Sequence, residues 1–85
     1  MIDPPDKIGA RLLALRKSLD VSQTKIAEDL GITQPQWNQY ERGNRRLTIE
    51  VAGMMVSSYG VTLDWLYLGD TSGLPLRLEP LSKMK

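Results

Sequence analysis

Cysteine and histidine are both missing from this 85-residue chain. Without cysteine there are no disulfides and no thiolate ligands to hold the fold. Without histidine the chain lacks the commonest metal ligand and the commonest general base near neutral pH. Both absences argue against an enzyme and against a bound metal or other cofactor. No apolar run approaches the ~18 residues of a membrane span, and the N-terminus has no basic-then-apolar signal pattern. The expectation is a soluble, cytoplasmic protein with no membrane partner and no evident small-molecule ligand.

A strong net charge is missing too: the formal value is +1. Its distribution is more telling. Residues 11–46 hold seven basic side chains against four acidic ones, a balance of +3, whereas residues 47–76 hold three acids and no base. One end is suited to meet an anion and the other is not.

Eighty-five residues make one small domain with a single modest core. The apolar spacing predicts five short helices and no strand. Asp3 or Asp6 can cap the first, with Pro4 and Pro5 in its first turn and Ile8, Leu12, Leu15 and Leu19 as its buried stripe. Ser22 caps a second helix over 23–30, buried through Ile26, Ala27 and Leu30 and stopped by Gly31. Thr33 caps a third over 34–42, with Pro35 in the first turn, where a missing N–H is tolerated. Thr48 opens a fourth, buried through Ile49, Ala52, Met55 and Val56. Thr62 opens a fifth over 63–68, with Trp65 and Leu66 as its packers. The domain is expected to span 1–72. Residues 73–85 are expected to form an extended arm, because Leu74, Leu76 and Leu78 recur with a period of two.

The second and third helices carry the functional signal. Ala27 is small enough for two helices to approach closely, Gly31 lets the chain reverse, and Ile32 and Trp37 pin the third helix across the second. At 100° per residue, Trp37, Tyr40 and Glu41 fall on one side of the third helix, while Gln34, Pro35, Asn38, Gln39 and Arg42 fall on the other. Such an amide-rich face is unhelpful for stability but suits base reading, since Gln and Asn can bond adenine N6 and N7 together. Gln36 has a plainer role open to it, because T-x-x-Q from Thr33 fits a capping box. Arg42, Arg45 and Arg46 can neutralise phosphates. Trp37 and Tyr40, opposite the amides, fit core packing better than base stacking.

The strings LRKSLDVSQTKIAEDLGITQPQWNQYERGNRR and, more loosely, VSSYGVTLDWLYLGD resemble the Cro-like, phage-repressor helix-turn-helix regulators of bacteria and phages, and the resemblance covers roughly Ile8 to Asp70. The resemblance implies a compact, lambda-repressor-like all-α bundle of five helices that binds double-stranded operator DNA as a homodimer and regulates transcription. It implies that Gln23 bonds a phosphate and that Gln34, Pro35, Asn38 and Gln39 reach base edges. It implies an ion pair between Arg16 and Glu41, and a loop after Gly43, through Asn44, lying along the DNA backbone. Pro35 departs from the family pattern, where a side chain able to hydrogen-bond a base is usual. The fifth helix and the 74–81 leucines are candidates for the dimer contact, with folding of the arm onto its own domain as the alternative. An antitoxin-like or anti-repressor module that binds another protein is the competing function on the same fold.

Overall fold

The computed structural model describes residues 1–75, 78 and 81. Five helices follow one another: α1 (Pro5–Leu19), α2 (Gln23–Leu30), α3 (Gln34–Glu41), α4 (Ile49–Tyr59) and α5 (Leu63–Leu68). No strand occurs among the described residues. Ser22, Thr33, Thr48 and Thr62 each accept a hydrogen bond from the backbone N–H three residues on, so four of the five helices start on a side-chain cap. Gln36 completes the capping box, taking the Thr33 N–H at 3.0 Å while its own N–H reaches Thr33 Oγ1 at 3.2 Å.

The start of α1 differs from expectation. Its N-cap is Pro4, which has no side-chain cap to offer. Asp3 does not cap, because its carboxylate is taken by Arg11 two turns into the helix. Asp6 lies inside the first turn, where a negative charge still favours the helix dipole.

The core gathers Ile8, Leu12 and Leu15 of α1, Ile26, Ala27 and Leu30 of α2, Trp37 and Tyr40 of α3, and Trp65 and Leu66 of α5. From α4 it takes Val51, Ala52 and Met55. Ile49 and Val56 were expected there and are not. The direction midway between Val51, Ala52 and Met55 lies roughly 90° or more from Val56 and Ile49 on a 100° helical wheel. Val56 is accordingly half-buried at the margin, and Ile49 is 56% exposed. Ile32 is half-buried, packed on the edge of the core rather than within it, and Leu19 sits likewise at the end of the α1 stripe.

Leu78 and Leu81 are buried in this same core and Leu74 packs against it, so these three leucines fold back on their own domain. Leu76 and Arg77, which completed the alternating pattern, lie outside the described residues.

Helix α1 packs on α3 and α5, α2 on α3 and α4, and α4 on α5. Two arginines flank the α1 stripe, about 140° apart around the helix. Arg11 turns toward α5, donating to the Leu66 carbonyl at 3.1 Å. Arg16 turns toward α3. Beside it, Gly9 meets the α3 backbone so closely that an added Cβ would stand 2.6 Å from the Glu41 carbonyl oxygen. A groove of about 370 Å³ opens between the N-terminus and α5, lined by Ile2, Leu47, Ile49, Leu63, Tyr67 and Leu68, with Arg46 and Asp64 on its rim.

Candidate nucleic-acid interface

Gly31 links α2 to α3 at φ +70°, a conformation costly for any residue with a Cβ, and the Ile32 N–H returns to the Ala27 carbonyl at 3.0 Å. This short reversal seats α3 across α2 and fixes its inner side through Trp37 and Tyr40, both buried.

Behind α3, Glu41 is the hub of a polar cluster. Arg16 grips its carboxylate with two parallel bonds, Nε to Oε2 at 2.8 Å and Nη2 to Oε1 at 3.0 Å, and spends Nη1 on the Val21 carbonyl at 3.1 Å. The Trp37 indole N–H donates to the same carboxylate. The pair is shielded, with side-chain exposures of 19% for Arg16 and 6% for Glu41. Burial pushes the Glu41 carboxyl upward, but hydrogen bonds from Arg16, Trp37 and Gln23 outweigh it and hold it below the ordinary carboxylate range. The bond to Glu41 likewise raises Arg16, which stays charged. The expected ion pair is therefore present and belongs to a larger network.

The network reaches the outer edge of α3 through Gln23. Its Nε2 donates to Glu41 Oε1 at 3.1 Å and to Asn38 Oδ1 at 3.2 Å, while its Oε1 accepts from Gln34 Nε2 at 2.6 Å. Gln34, Asn38 and Gln39 are half-buried along this edge, and Pro35 is exposed. Both N–H groups of Gln23 are engaged within the chain, so a phosphate bond from this amide requires one of them to be released.

Arg42, Asn44 and Arg45 are exposed just beyond α3. Their loop is held to the helix by N–H bonds from Asn44 and Arg45 to the Gln39 carbonyl, at 3.0 and 3.3 Å. Gly43, at φ +76°, lets the loop press on the start of α1, where an added Cβ would stand 2.7 Å from the Asp6 Cα. Arg46 is also exposed, but one guanidinium N–H is given to the Asp3 carbonyl at 3.0 Å, at the rim of the groove.

Sequence reasoning missed Gly9, Arg11 and the amide links. Arg11 is buried, bonded to the Leu66 carbonyl and paired with Asp3, and its guanidinium lies against Gly69. A charged residue one turn from Ile8, at the margin of the stripe, was the available sign. No described His/Cys/Asp/Glu group is arranged to hold a metal ion, and no helix of the described residues is long and apolar enough to cross a membrane.

Comparison with known proteins agrees with this geometry. A family model described as helix-turn-helix matches residues 12–66, the span from the α1 stripe to the packing residues of α5. No curated protein and no solved structure gave a match. With most of its length matched, the chain belongs to the Cro/C1-type helix-turn-helix family, a family of DNA-binding regulators of transcription.

Proposed function

We propose that the chain is a sequence-specific regulator that lays α3 in the major groove of operator DNA, as a dimer. The observation that carries this reading is the division of α3 into two sides. Its charged residue, Glu41, is turned inward and neutralised by Arg16, which leaves an outer edge of amides and no acid. Gln34, Asn38 and Gln39 are the base readers, and Pro35 offers apolar contact to a thymine methyl. Exposed Arg42, Asn44 and Arg45 lie where phosphates flank an inserted helix, and Arg46 adds charge beside them.

A second copy of the chain is the proposed occupant of the groove beside α5. Ile2, Ile49, Leu63 and Leu68 are large apolar side chains exposed around it. Its rim carries one cation and one anion, Arg46 and Asp64. A two-fold pairing that set each Arg46 against the other copy's Asp64 would make the patch self-complementary. The domain measures 30 × 26 × 19 Å, so two touching copies can set their α3 helices about 34 Å apart, one turn of DNA. The burial of Leu78 and Leu81 in the home domain favours this groove over the arm as the contact.

Selection from random duplexes followed by anisotropy titration tests the function. The expected result is a two-fold symmetric site containing A·T pairs. About six phosphate contacts per dimer predict a slope of log K against log salt near −5. Binding blind to sequence would falsify the regulator reading. A monomeric chain that selects no DNA would instead point to the protein-interaction role, with the groove taking a different partner.

A further inference from the structure

We infer that Glu41, which touches no base in the proposed docking, sets the base preference of α3 by fixing which way round the amides of Gln23, Gln34 and Asn38 point. The inference rests on the major-groove reading and names the origin of that site's hydrogen-bond polarity. Its basis is a chain of bonds with one fixed end.

An ionised carboxylate can only accept. Glu41 stays ionised, held below the ordinary range by its donors against the effect of burial. Gln23 must therefore turn its NH₂ toward Glu41, where Nε2 stands 3.1 Å from Oε1. The reversed amide would set two acceptor oxygens against each other at that distance. The second N–H of Gln23 meets Asn38 Oδ1 at 3.2 Å, so the asparagine oxygen is occupied. The Gln23 oxygen in turn faces Gln34 and takes an N–H from its Nε2 at 2.6 Å.

Two readers are thereby given definite characters. Asn38 gives one lone pair of its oxygen to Gln23, which holds that oxygen toward Gln23 and favours its Nδ2 donors for an incoming base. It therefore prefers a base edge with an acceptor, such as guanine O6 and N7 or thymine O4, over the N4 amino group of cytosine. Gln34 keeps one N–H and its oxygen, a donor–acceptor pair that matches adenine N7 and N6. An unconstrained amide would serve either polarity by rotating. Glu41 is thus a positioning residue, acting through Gln23.

The test compares the wild-type chain with Glu41→Gln and Gln23→Met. The first removes the fixed acceptor. The second removes the relay but leaves Arg16 and Glu41 paired, which covers the case in which the first fails to fold. In the free protein, the side-chain amide resonances of Gln34 and Asn38 are expected to shift together in both variants. In competition titrations against duplexes with single base changes, the wild type is expected to discriminate roughly tenfold or more at the pairs facing Gln34 and Asn38. Both variants should fall below about threefold at these two pairs; Glu41→Gln should hold sequence-independent binding within about twofold, whereas Gln23→Met, which also removes a phosphate-contact candidate, should lower it on all duplexes alike. A folded variant that keeps the wild-type base preference, or unmoved Gln34 and Asn38 resonances, would overturn the inference. If the wild type itself selects no sequence, the major-groove reading fails first and takes this inference with it. If wild type and variants select the same site, this inference fails alone.

Discussion

Replacing Gly9 by alanine should destabilise the domain, against the usual trend for a helical glycine. In an open helix position, Gly→Ala is stabilising by roughly 0.8–1 kcal/mol. At Gly9 the new Cβ would lie 2.6 Å from the Glu41 carbonyl oxygen and 2.7 Å from that of Tyr40, both backbone atoms. Real Cβ contacts essentially never fall below 3.0 Å, so α3 must withdraw from α1 by about 0.4 Å at the least. Overpacking of this kind costs about 1–3 kcal/mol, and rigid neighbours place Gly9 toward the upper end. Set against the propensity gain, the net loss is about 1–2 kcal/mol, which for a domain of this size lowers Tm by roughly 5–15 °C.

Gly53 is the internal control. It lies within α4 and a Cβ there would meet nothing within 4 Å, so Gly53→Ala should raise Tm by a few degrees, about 0.5–1 kcal/mol. Thermal unfolding followed by circular dichroism gives both values. Gly9→Ala matching or exceeding the wild-type Tm, with Gly53→Ala behaving as stated, would refute the close approach of α1 and α3. Because the displaced backbone belongs to Tyr40 and Glu41, the same variant should also weaken specific DNA binding.

Acidification should lower Tm progressively as the pH falls below the ordinary carboxylate range. Glu41, Asp3 and Asp70 are held down in the folded state, Asp3 chiefly by its bond from Arg11 and Asp70 by the Ser72 backbone N–H. A lowered folded value contributes stability above the unfolded value and loses it as pH drops through the folded one. Glu41→Gln should flatten this acid limb, and an unchanged pH profile would remove Glu41 from it. Leu63→Glu or Leu68→Glu should turn a dimer into a monomer in sedimentation, whereas Leu78→Ala should lower Tm and leave the oligomeric state alone; the reverse pattern would return the contact to the arm. Gln34→Ala should relax base preference, while Arg45→Ala weakens all duplexes alike; identical behaviour would undo the sorting into readers and anchors.

The helix ends were legible because their signals are local. Ser22, Thr33, Thr48 and Thr62 cap from within three residues, and a periodic stripe shows which side of α1, α2 or α3 is apolar. The reading failed where the deciding partner is distant in sequence. Asp3 looks like a cap until Arg11 takes its carboxylate. Ile49 looks like core until α4 is seen to face inward through Val51, Ala52 and Met55, which leaves Ile49 on the wall of the groove. The close approach of α1 to α3 at Gly9 was missed, because a periodicity argument passes over a glycine as a gap. The outer residues of α3 were legible as a set. Their linkage through Gln23 was not, because 11 and 15 residues separate it from Gln34 and Asn38.

Arg11 and Arg16 give α1 a role beyond filling the core. The two are five residues apart on one rigid helix, and each secures one of the two proposed surfaces. Arg16 holds Glu41, on which the order of the amide edge depends. Arg11 holds the Leu66 carbonyl and Asp3, and so fixes both α5 and the N-terminal segment that borders the groove. The proposed base-reading edge and the proposed dimer face are thus set against a common reference, which two half-sites at a fixed spacing require. A looser α1 would let each surface keep its local chemistry while the distance between two α3 helices drifted. Removing Arg11 should therefore weaken binding to a symmetric site more than to a single half-site, with base preference retained. Equal losses on both would show that α1 transmits no geometry between the two surfaces.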